Sequence, residues 1–554
     1  MAPRWTFDRA AAKARLAAER FDVLVIGGGV TGAGIALDAA SRGLRTALVE
    51  RDDFASGTSS KSSKLIHGGL RYLQTGEVRL VYQALAERTR LQHNAPHLVK
   101  PLPFLIPLFT TDGVLNRRLA RGLGSALWMY DATGGVRIGK MHRRLSTGEA
   151  LAYMPTLPAD RMAGAYLYYD AQADDARLTL ALARTAAIDF GAAVANRLRV
   201  IGLDHDGEGR VGAAKVVDGL TGDELDVRAT SVVNAAGVWS DQVLALDASA
   251  AGAPLCRPAK GIHVTLPWDK IRNTIAAIVP VHGDRRSVFA IPWGSATYVG
   301  TTDTDYDGPL DDPVCTPDDV AYLLDAVNRS VTTEITEADV LGTWAGLRPL
   351  VRDATSARTA DLSRRHRVDR ATSGLISVTG GKLTTYRTMA EDAVDEVARL
   401  LDERAAGRRV RLRACRTRRL RLRGADGHRE LVVAAGDGER GDLVRHLADR
   451  YGGEARTLLA IVDHQPALGR HLVPGLPYRQ AEAVYAVRYE MATTLDDVLS
   501  RRTRARILAG DASTAAAGAV AALIGPELGW DEAERSRQVE AYRASVAREL
   551  VALR

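Results

Sequence analysis

Cysteine is scarce in this 554-residue chain: Cys256, Cys315 and Cys415 stand far apart and form no CxxC pair. That excludes a disulfide framework, a zinc knuckle and a dithiol redox centre, and it fits a reduced cytosolic setting. No apolar run approaches the ~18 residues of a spanning helix. A signal-type apolar core is also missing, because Arg4, Asp8, Arg9, Lys13 and Arg15 interrupt the N-terminal segment. The chain is therefore expected to stay inside the cell. No group of His, Cys and Asp has metal-ligand spacing, so no metal is expected, and no internal repeat is visible.

What remains is an ordinary globular composition, 46% hydrophobic and 25% charged. The length corresponds to about three structural units, and such a chain buries a large core, which excludes wholesale disorder. Lys and Arg number 74 against 67 Asp and Glu, a net charge of +7. That modest excess suits nucleic acid, an anionic membrane face or anionic substrates without choosing among them.

The strongest local signal lies near the start. Phe21-Asp-Val-Leu-Val-Ile26 is a short apolar run ending in glycines and reads as a buried parallel strand. An alanine-rich helix follows to about Arg42, closed by Gly43 in the C-cap position, and Thr46-Ala-Leu-Val-Glu50 is a second strand. Between strand and helix, Gly27-Gly-Gly-Val-Thr-Gly32 satisfies GxGxxG. A lone match is weak, but a match between a strand and a helix, with an acid ending the next strand, is the dinucleotide fingerprint. Gly27 permits the tight turn, Gly29 lets the backbone approach a pyrophosphate, and Gly32 lets helix and sheet pack closely. The helix N-terminus faces the anion, and Glu50 is expected to accept hydrogen bonds from the ribose hydroxyls, which disfavours a 2′-phosphate. Two later elements favour FAD over NAD. One is the strand Ser231-Val-Val-Asn-Ala-Ala-Gly237, which resembles a strand that flavoproteins of the two-dinucleotide-binding-domain type carry near the FAD; the other is the strand-to-helix turn Gly380-Gly-Lys-Leu-Thr-Thr-Tyr386, whose helix dipole suits the negative charge of a reduced flavin.

The rest is mixed. A helix is expected near 174–190 with Asp174 as N-cap, and another near 317–328 after Pro317. Strands are expected around 192–200, 211–217, 225–233, 260–266, 287–292, 296–301 and 375–379, and a long helix runs to about Arg404. From Arg404 to Arg423 about half the residues are arginine. The segment lacks the interleaved aromatics of single-strand binders and reads as a solvated linker; nucleic-acid binding is the sharper alternative. Beyond residue 430 the pattern is helical, with breaks at Pro466, Pro474 and Pro477.

Thr58-Ser-Ser-Lys-Ser-Ser-Lys-Leu-Ile-His-Gly-Gly-Leu-Arg-Tyr-Leu73 resembles a signature of the FAD-dependent, quinone-linked glycerol-3-phosphate dehydrogenase family. Asp174-Asp-Ala-Arg-Leu178, Gly300-Thr-Thr-Asp303, Gly346-Leu-Arg-Pro349 and Gly380-Gly-Lys-Leu-Thr-Thr-Tyr-Arg387 follow in the family's order, and Leu499-Ser-Arg-Arg-Thr503 is similar to its helical cap. The resemblance implies an α/β fold of the D-amino-acid-oxidase type: a Rossmann-type FAD-binding domain, an antiparallel-sheet substrate domain and a C-terminal helical cap. The expected division is a lead-in (1–20), a discontinuous FAD-binding domain (21–90, 170–255, 354–405), a substrate and membrane-facing domain (91–169, 256–353), an Arg-rich linker (406–424) and the cap (425–554). It also implies the reaction, sn-glycerol 3-phosphate to dihydroxyacetone phosphate, with electrons passing through FAD to a membrane quinone.

The substrate's phosphate needs cations, and arginine's fork matches it. Arg71 and Arg348 lie in motifs matching the family's active-site segments; Pro349 biases Arg348 away from helix and toward a loop. His263, in Lys260-Gly-Ile-His263, is expected to take the C2 hydroxyl proton or bond that oxygen. Lys382 is expected near the flavin, touching it or the substrate oxygen, and Tyr72 beside the substrate. His67 is a second candidate base, although its place between Ile66 and Gly68 suits flavin packing. Thr58, Ser59, Leu65, His67, Gly237, Gly381, Lys382, Leu383 and Thr384 join Gly27, Gly29, Gly32 and Glu50 as the expected cofactor contacts. Asp303 and Asp175 read as structural, at a turn and a helix start.

A quinone acceptor requires membrane contact. Residues 103–109 are apolar, 115–130 are basic and apolar with Trp128 and Tyr130, and Lys140, Arg143 and Arg144 follow. This resembles an interfacial helix bound peripherally to the cytoplasmic leaflet; the alternative is an ordinary amphipathic helix on the core. No nucleic-acid partner is expected, and a homodimer is left open. The nearest rival function is a glycerol-3-phosphate oxidase, which has the same site but reduces oxygen to peroxide. A tRNA-modifying flavoprotein would explain the arginines but not the active-site motifs.

Overall fold

A strand that is apolar along its whole length needs cover on both faces, and Arg20–Ile26 has it at the centre of an eight-stranded sheet. The computed structural model describes residues 6–69, 77–110, 127, 128, 130, 140–249, 254–282, 287–352, 365–405 and 412–550. The parallel part of this sheet runs Ile376–Gly380, Glu224–Asn234, Arg20–Ile26, Thr46–Val49, Ala193–Ala195. His366–Arg370 closes one edge antiparallel, and the Leu198–His205 and Val211–Asp218 hairpin joins Glu224–Asn234. Helix Val30–Arg42 ends at Gly43 in the left-handed conformation expected of a C-cap (φ 101°). It packs against Asp175–Phe190 and Tyr386–Arg404, which cover the same sheet. Asp174 caps Asp175–Phe190 as its position suggests, accepting the Arg177 N–H at 3.2 Å.

The second sheet has ten strands. Val99–Phe109 and Met162–Ala173 form its longest antiparallel pair, and Cys256–Pro267 lies between Gly342–Val351 and Ala296–Gly300. The apolar run 103–109, expected at a membrane, belongs to the Val99–Phe109 strand. Phe104, Leu105, Ile106, Leu108 and Phe109 are all buried in the sheet's core. Three prolines interrupt this strand's sequence, which hid it from a reading by propensity. Most of 115–130 lies outside the described residues. Tyr130 is buried and donates to Asp170 at 2.7 Å, whereas Trp128 is 61% exposed and packs edge-to-face with His142.

The C-terminal region is helical, including Gly438–Tyr451, Ala455–His464, Gln480–Glu490, Gly510–Leu528 and Glu532–Leu550. Buried charge joins it to the nucleotide half. Asp53 accepts a fork of two hydrogen bonds from Arg502, at 2.7 and 2.8 Å, and a third from Arg501 at 2.7 Å. Arg504 reaches Asp174 at 2.6 Å and also Asp175, and Arg177 pairs with Glu490 at 2.7 Å. Burial disfavours the ionised Asp174, yet Arg504 and Arg450 hold its carboxyl down at about 2. The described part of the Arg-rich linker lies as a strap rather than free in solvent. Arg418 pairs with Glu391, and Arg423 with Asp189 and Glu454. The Leu422 N–H donates to the Asn94 carbonyl at 2.8 Å.

Removing one partner of such a joint leaves a buried charge without compensation. Asp53→Ala strips Arg502 of its carboxylate fork and is expected to destabilise the protein by about 3–5 kcal/mol. Thermal or urea unfolding should show a clearly lowered midpoint; an unchanged midpoint would deny the joint its structural weight.

Candidate active site

The glycines of the fingerprint are there for space. A Cβ on Gly32 would lie 1.9 Å from the Gly27 carbonyl oxygen, and one on Gly27 (φ +111°) would lie 2.7 Å from that of Ala235. Gly29 is the N-cap of Val30–Arg42. The Ser59 hydroxyl accepts the Val30 N–H at 2.9 Å, so one of the helix's N-terminal donors is already satisfied from the signature segment. Glu50, expected as the last residue of its strand, directly follows the Thr46–Val49 strand. Its two carboxylate oxygens accept the Gly28 and Asp52 N–H groups at 2.6 and 2.8 Å, and burial pushes its pKa up to about 7 despite them. Each oxygen keeps a second lone pair for another donor.

From this turn a cavity of about 800 Å³ runs past Thr58, Ser59 and Gly237 to Lys382, Leu383 and Thr384 and on to His263 and Arg348. Its volume and glycine cradle fit a dinucleotide. Gly237 (φ +62°) has open space where a side chain would stand, and Gly381 (φ +85°) turns where a Cβ would meet the Met389 sulfur at 2.3 Å. Lys382 precedes the short turn Leu383–Thr385, which runs into Tyr386–Arg404. Thr384 Oγ1 accepts the His67 N–H at 3.1 Å, tying this turn to the signature segment. Burial, with Lys382 and Arg88 adding to it, pushes His67 down to about 3, so it stays neutral as a packing group beside Phe289.

The reactive end is set by strand register. In the antiparallel pair, His263 stands opposite Trp344, Gly261 opposite Gly346 and Ala259 opposite Arg348. Alternation places these residues on one face, while Lys260 faces the other side and pairs with Asp319 at 2.6 Å. Two glycines clear the face. A Cβ on Gly261 would lie 2.4 Å from Arg348 Nη2, and one on Gly346 would lie 2.5 Å from the Lys61 carbonyl oxygen. Arg348 lies in a strand, not a loop; the extended backbone that Pro349 imposes is satisfied equally well by a strand. Its guanidinium donates to Asp303 (3.1 Å), Thr301 Oγ1 (3.0 Å) and the Thr302 and Lys260 carbonyls. Asp303 therefore aims this arginine, which gives its place in the Gly300–Asp303 motif a direct link to the site.

The His263 ring is clamped. It stacks on Trp344 (4.6 Å, 7°), and a Cβ on the opposing Gly300 would lie 2.1 Å from its Cδ2. Ser63 Oγ sits 2.8 Å from Nε2. Burial first, then Lys64 and Arg348, push the imidazole well below its ordinary range, so it is a neutral acceptor at physiological pH. Lys64 is itself lowered to about 8 by burial, against its partner Asp175, and lies over the Trp344 ring at 4.8 Å.

The structure thus gathers His263, Arg348, Lys382, Gly27, Gly29, Glu50, Thr58, Ser59, Leu65, His67, Gly237, Gly381, Leu383 and Thr384 around one cavity. Gly32 stands behind its wall. Arg71 and Tyr72 lie outside the described residues. Sequence reasoning passed over Ser63, Trp344, Thr301, Gly261 and Gly346. The glycines carried a signal, since each lies two residues before a site residue in Gly261-Ile-His263 and Gly346-Leu-Arg348. Among the described residues no three His, Cys, Asp or Glu side chains could hold a metal ion.

Comparison with known proteins shows the family. The family model described as FAD dependent oxidoreductase matches residues 22–391, and that described as C-terminal domain of alpha-glycerophosphate oxidase matches 415–535. The chain is 42% identical to glycerol-3-phosphate dehydrogenase 2 of Mycobacterium tuberculosis, over 98% of this chain and 91% of that one. It is 40% identical to the human mitochondrial glycerol-3-phosphate dehydrogenase, over 94% and 72%. A crystal structure of glycerol-3-phosphate dehydrogenase from Bacillus halodurans complexed with FAD superposes with a TM-score of 0.79 at 31% identity, covering 98% of each chain. An L-alpha-glycerophosphate oxidase from Mycoplasma pneumoniae shares the fold at 18% identity and a TM-score of 0.53, over 68% of this chain and 95% of that one.

Glu50→Gln sets an amide donor against one of the two backbone N–H groups that the carboxylate accepts. It also leaves one acceptor oxygen fewer for the expected ribose hydroxyls, and losing that bond, at about 1–3 kcal/mol, corresponds to FAD binding weakened roughly five- to 150-fold. Titration of FAD fluorescence with apoprotein measures it; an unaltered dissociation constant would remove Glu50 from cofactor recognition.

Proposed function

The chain belongs to the FAD-dependent oxidoreductase family and, within it, to the glycerol-3-phosphate dehydrogenases, and from that premise we propose that it oxidises sn-glycerol 3-phosphate to dihydroxyacetone phosphate and passes the electrons to a membrane quinone. The observation that carries this reading is the shared face of the Cys256–Pro267 and Gly342–Val351 strands. There a fixed guanidinium and a neutral, clamped imidazole open into the same cavity. Bound FAD supplies the two-electron acceptor for the C2 hydrogen. Glu50, the Gly27–Gly29 turn and the Lys382–Thr384 turn are the groups that hold it.

Arg348, with Arg71, binds and orients the phosphate, whose charge is close to −2 at neutral pH. Thr301 and Asp303 keep the Arg348 fork from swinging. His263 takes the C2 hydroxyl proton, or bonds that oxygen as it becomes a carbonyl. Lys382 places a cation beside the site, where it meets the substrate oxygen or the charge of the reduced cofactor. Tyr72 contributes a further hydrogen bond to the substrate.

Among the described residues no helix is long and apolar enough to cross a membrane; the quinone is reached, in this proposal, through peripheral contact with the inner face of the cell membrane. Exposed Trp128 and Met141, followed by exposed Arg143 and Arg144, support that contact. Oxygen is the competing acceptor, since the C-terminal region matches a model named for an oxidase.

One anaerobic experiment separates these readings. Added sn-glycerol 3-phosphate should bleach the visible flavin band. Soluble quinone should restore it quickly and oxygen slowly, and salt should strip the protein from anionic vesicles. His263→Ala should slow bleaching about 10²–10⁴-fold while FAD is retained. Fast peroxide formation would make the protein an oxidase, absence from vesicles at low salt would end the membrane reading, and absence of bleaching would overturn the substrate assignment.

A further inference from the structure

The His263 ring has two nitrogens, and the structure treats them differently. Nδ1 is shielded from solvent and has no hydrogen-bond partner among the described residues. One ring face is covered by Trp344, and the Cδ2 edge lies over Gly300. Among the described residues Nε2 meets one group, the Ser63 hydroxyl at 2.8 Å, and Ser63 and His263 both line the cavity. Any proton exchanged between the cavity and this imidazole therefore passes the Nε2–Ser63 edge.

Ser63 is itself held from several sides. Its carbonyl accepts the Tyr298 hydroxyl at 3.0 Å. On one flank the Ser62 hydroxyl donates to Asp175 at 2.7 Å; on the other the Lys64 ammonium donates to the Ser60 carbonyl at 3.0 Å. Asp175 and Asp174 are in turn gripped by Arg504 from the cap. Such over-determination suits a hydroxyl whose direction matters.

We propose that Ser63 is the proton relay between the substrate and His263, a role resting on the reading of His263 as the base. The C2 hydroxyl gives its proton to Ser63 Oγ as Ser63 gives its own to His263 Nε2. The C2–H electron pair leaves with its hydrogen to the oxidised flavin that the activity supplies, and the C2–O bond becomes a carbonyl. One proton ends on the imidazole, and the flavin is reduced by two electrons. The resting imidazole is kept neutral by burial and by the Lys64 and Arg348 charges; the incoming phosphate dianion offsets those charges and makes Nε2 more basic at the moment a base is needed.

The relay demands that Ser63 donate to Nε2, so resting His263 carries its proton on Nδ1, at the cost of a buried N–H that no described residue accepts. Nitrogen-15 NMR of histidine-labelled protein, with the His263 signal assigned by its loss in His263→Ala, reads this tautomer with or without FAD. The Nδ1–H form is expected, and the Nε2–H form would overturn the relay. In stopped-flow bleaching by sn-glycerol 3-phosphate, Ser63→Ala should lower the limiting rate about 10²–10⁴-fold. KM, FAD content and unfolding midpoint should change little, and Ser63→Thr should recover much of the rate. A Ser63→Ala rate within about threefold of the original, with His263→Ala inactive, would reject the relay and leave His263 as base. Full activity in His263→Ala would reject the base itself. A Ser63→Thr variant as slow as Ser63→Ala would also count against a role for the hydroxyl.

Discussion

The register between Cys256–Pro267 and Gly342–Val351 places His263 beside Trp344 and Arg348 beside Ala259. A slip of one residue would turn every one of these side chains to the opposite face. That face lies toward the cavity; the other carries Ile262 and Val264 into the apolar core and Lys260 to Asp319. The hydrophobic requirement and the chemical one therefore fix the same register. Gly261, Gly300 and Gly346 complete the arrangement by absence, since each leaves the volume that a guanidinium, an imidazole edge or a passing backbone occupies.

The second constraint is electrostatic. Segment 58–67 crosses from the nucleotide half to the substrate sheet and meets partners from across the chain. Thr58 donates to the Leu347 carbonyl, Ser59 accepts the Val30 N–H, Ser62 and Lys64 engage Asp175, and the Ser63 hydroxyl meets His263. Asp175 is also held by Arg504, two residues beyond the Arg502 that grips Asp53 beside the dinucleotide turn. The cap is thus part of the active-site frame. Its buried arginines are tolerated because each finds a carboxylate, and losing one would leave a charge with nowhere to go.

The nucleotide half was the legible half. Its signals are local: Phe21–Ile26, the glycine turn, the C-cap at Gly43 and the N-cap at Asp174 each declare themselves within a few residues. The substrate sheet was harder. Pro101, Pro103 and Pro107 disguise Val99–Phe109, which is buried rather than membrane-facing, and Pro349 suggested a loop where Gly342–Val351 is a strand. His263 and Arg348 were singled out through their motifs, but what brings them to one face of the sheet was not legible. Trp344 beneath the ring and Ser63 on Nε2, 200 residues away, are consequences of tertiary register that no local pattern carries. Read locally, the arginines of 404–423 pointed to a solvated linker or a nucleic-acid contact; the described ones that pair do so with acids of the nucleotide half and the cap.

The central claim is that the Arg348 side of this cavity receives the phosphate next to the cofactor. Titrating dihydroxyacetone phosphate into the oxidised holoprotein, in parallel with Arg348→Met, tests it through the perturbation of the flavin spectrum. The account predicts a saturable change in the unaltered protein and affinity weakened about tenfold or more in the variant, with FAD retained in both. Equal affinity in the two proteins would contradict it.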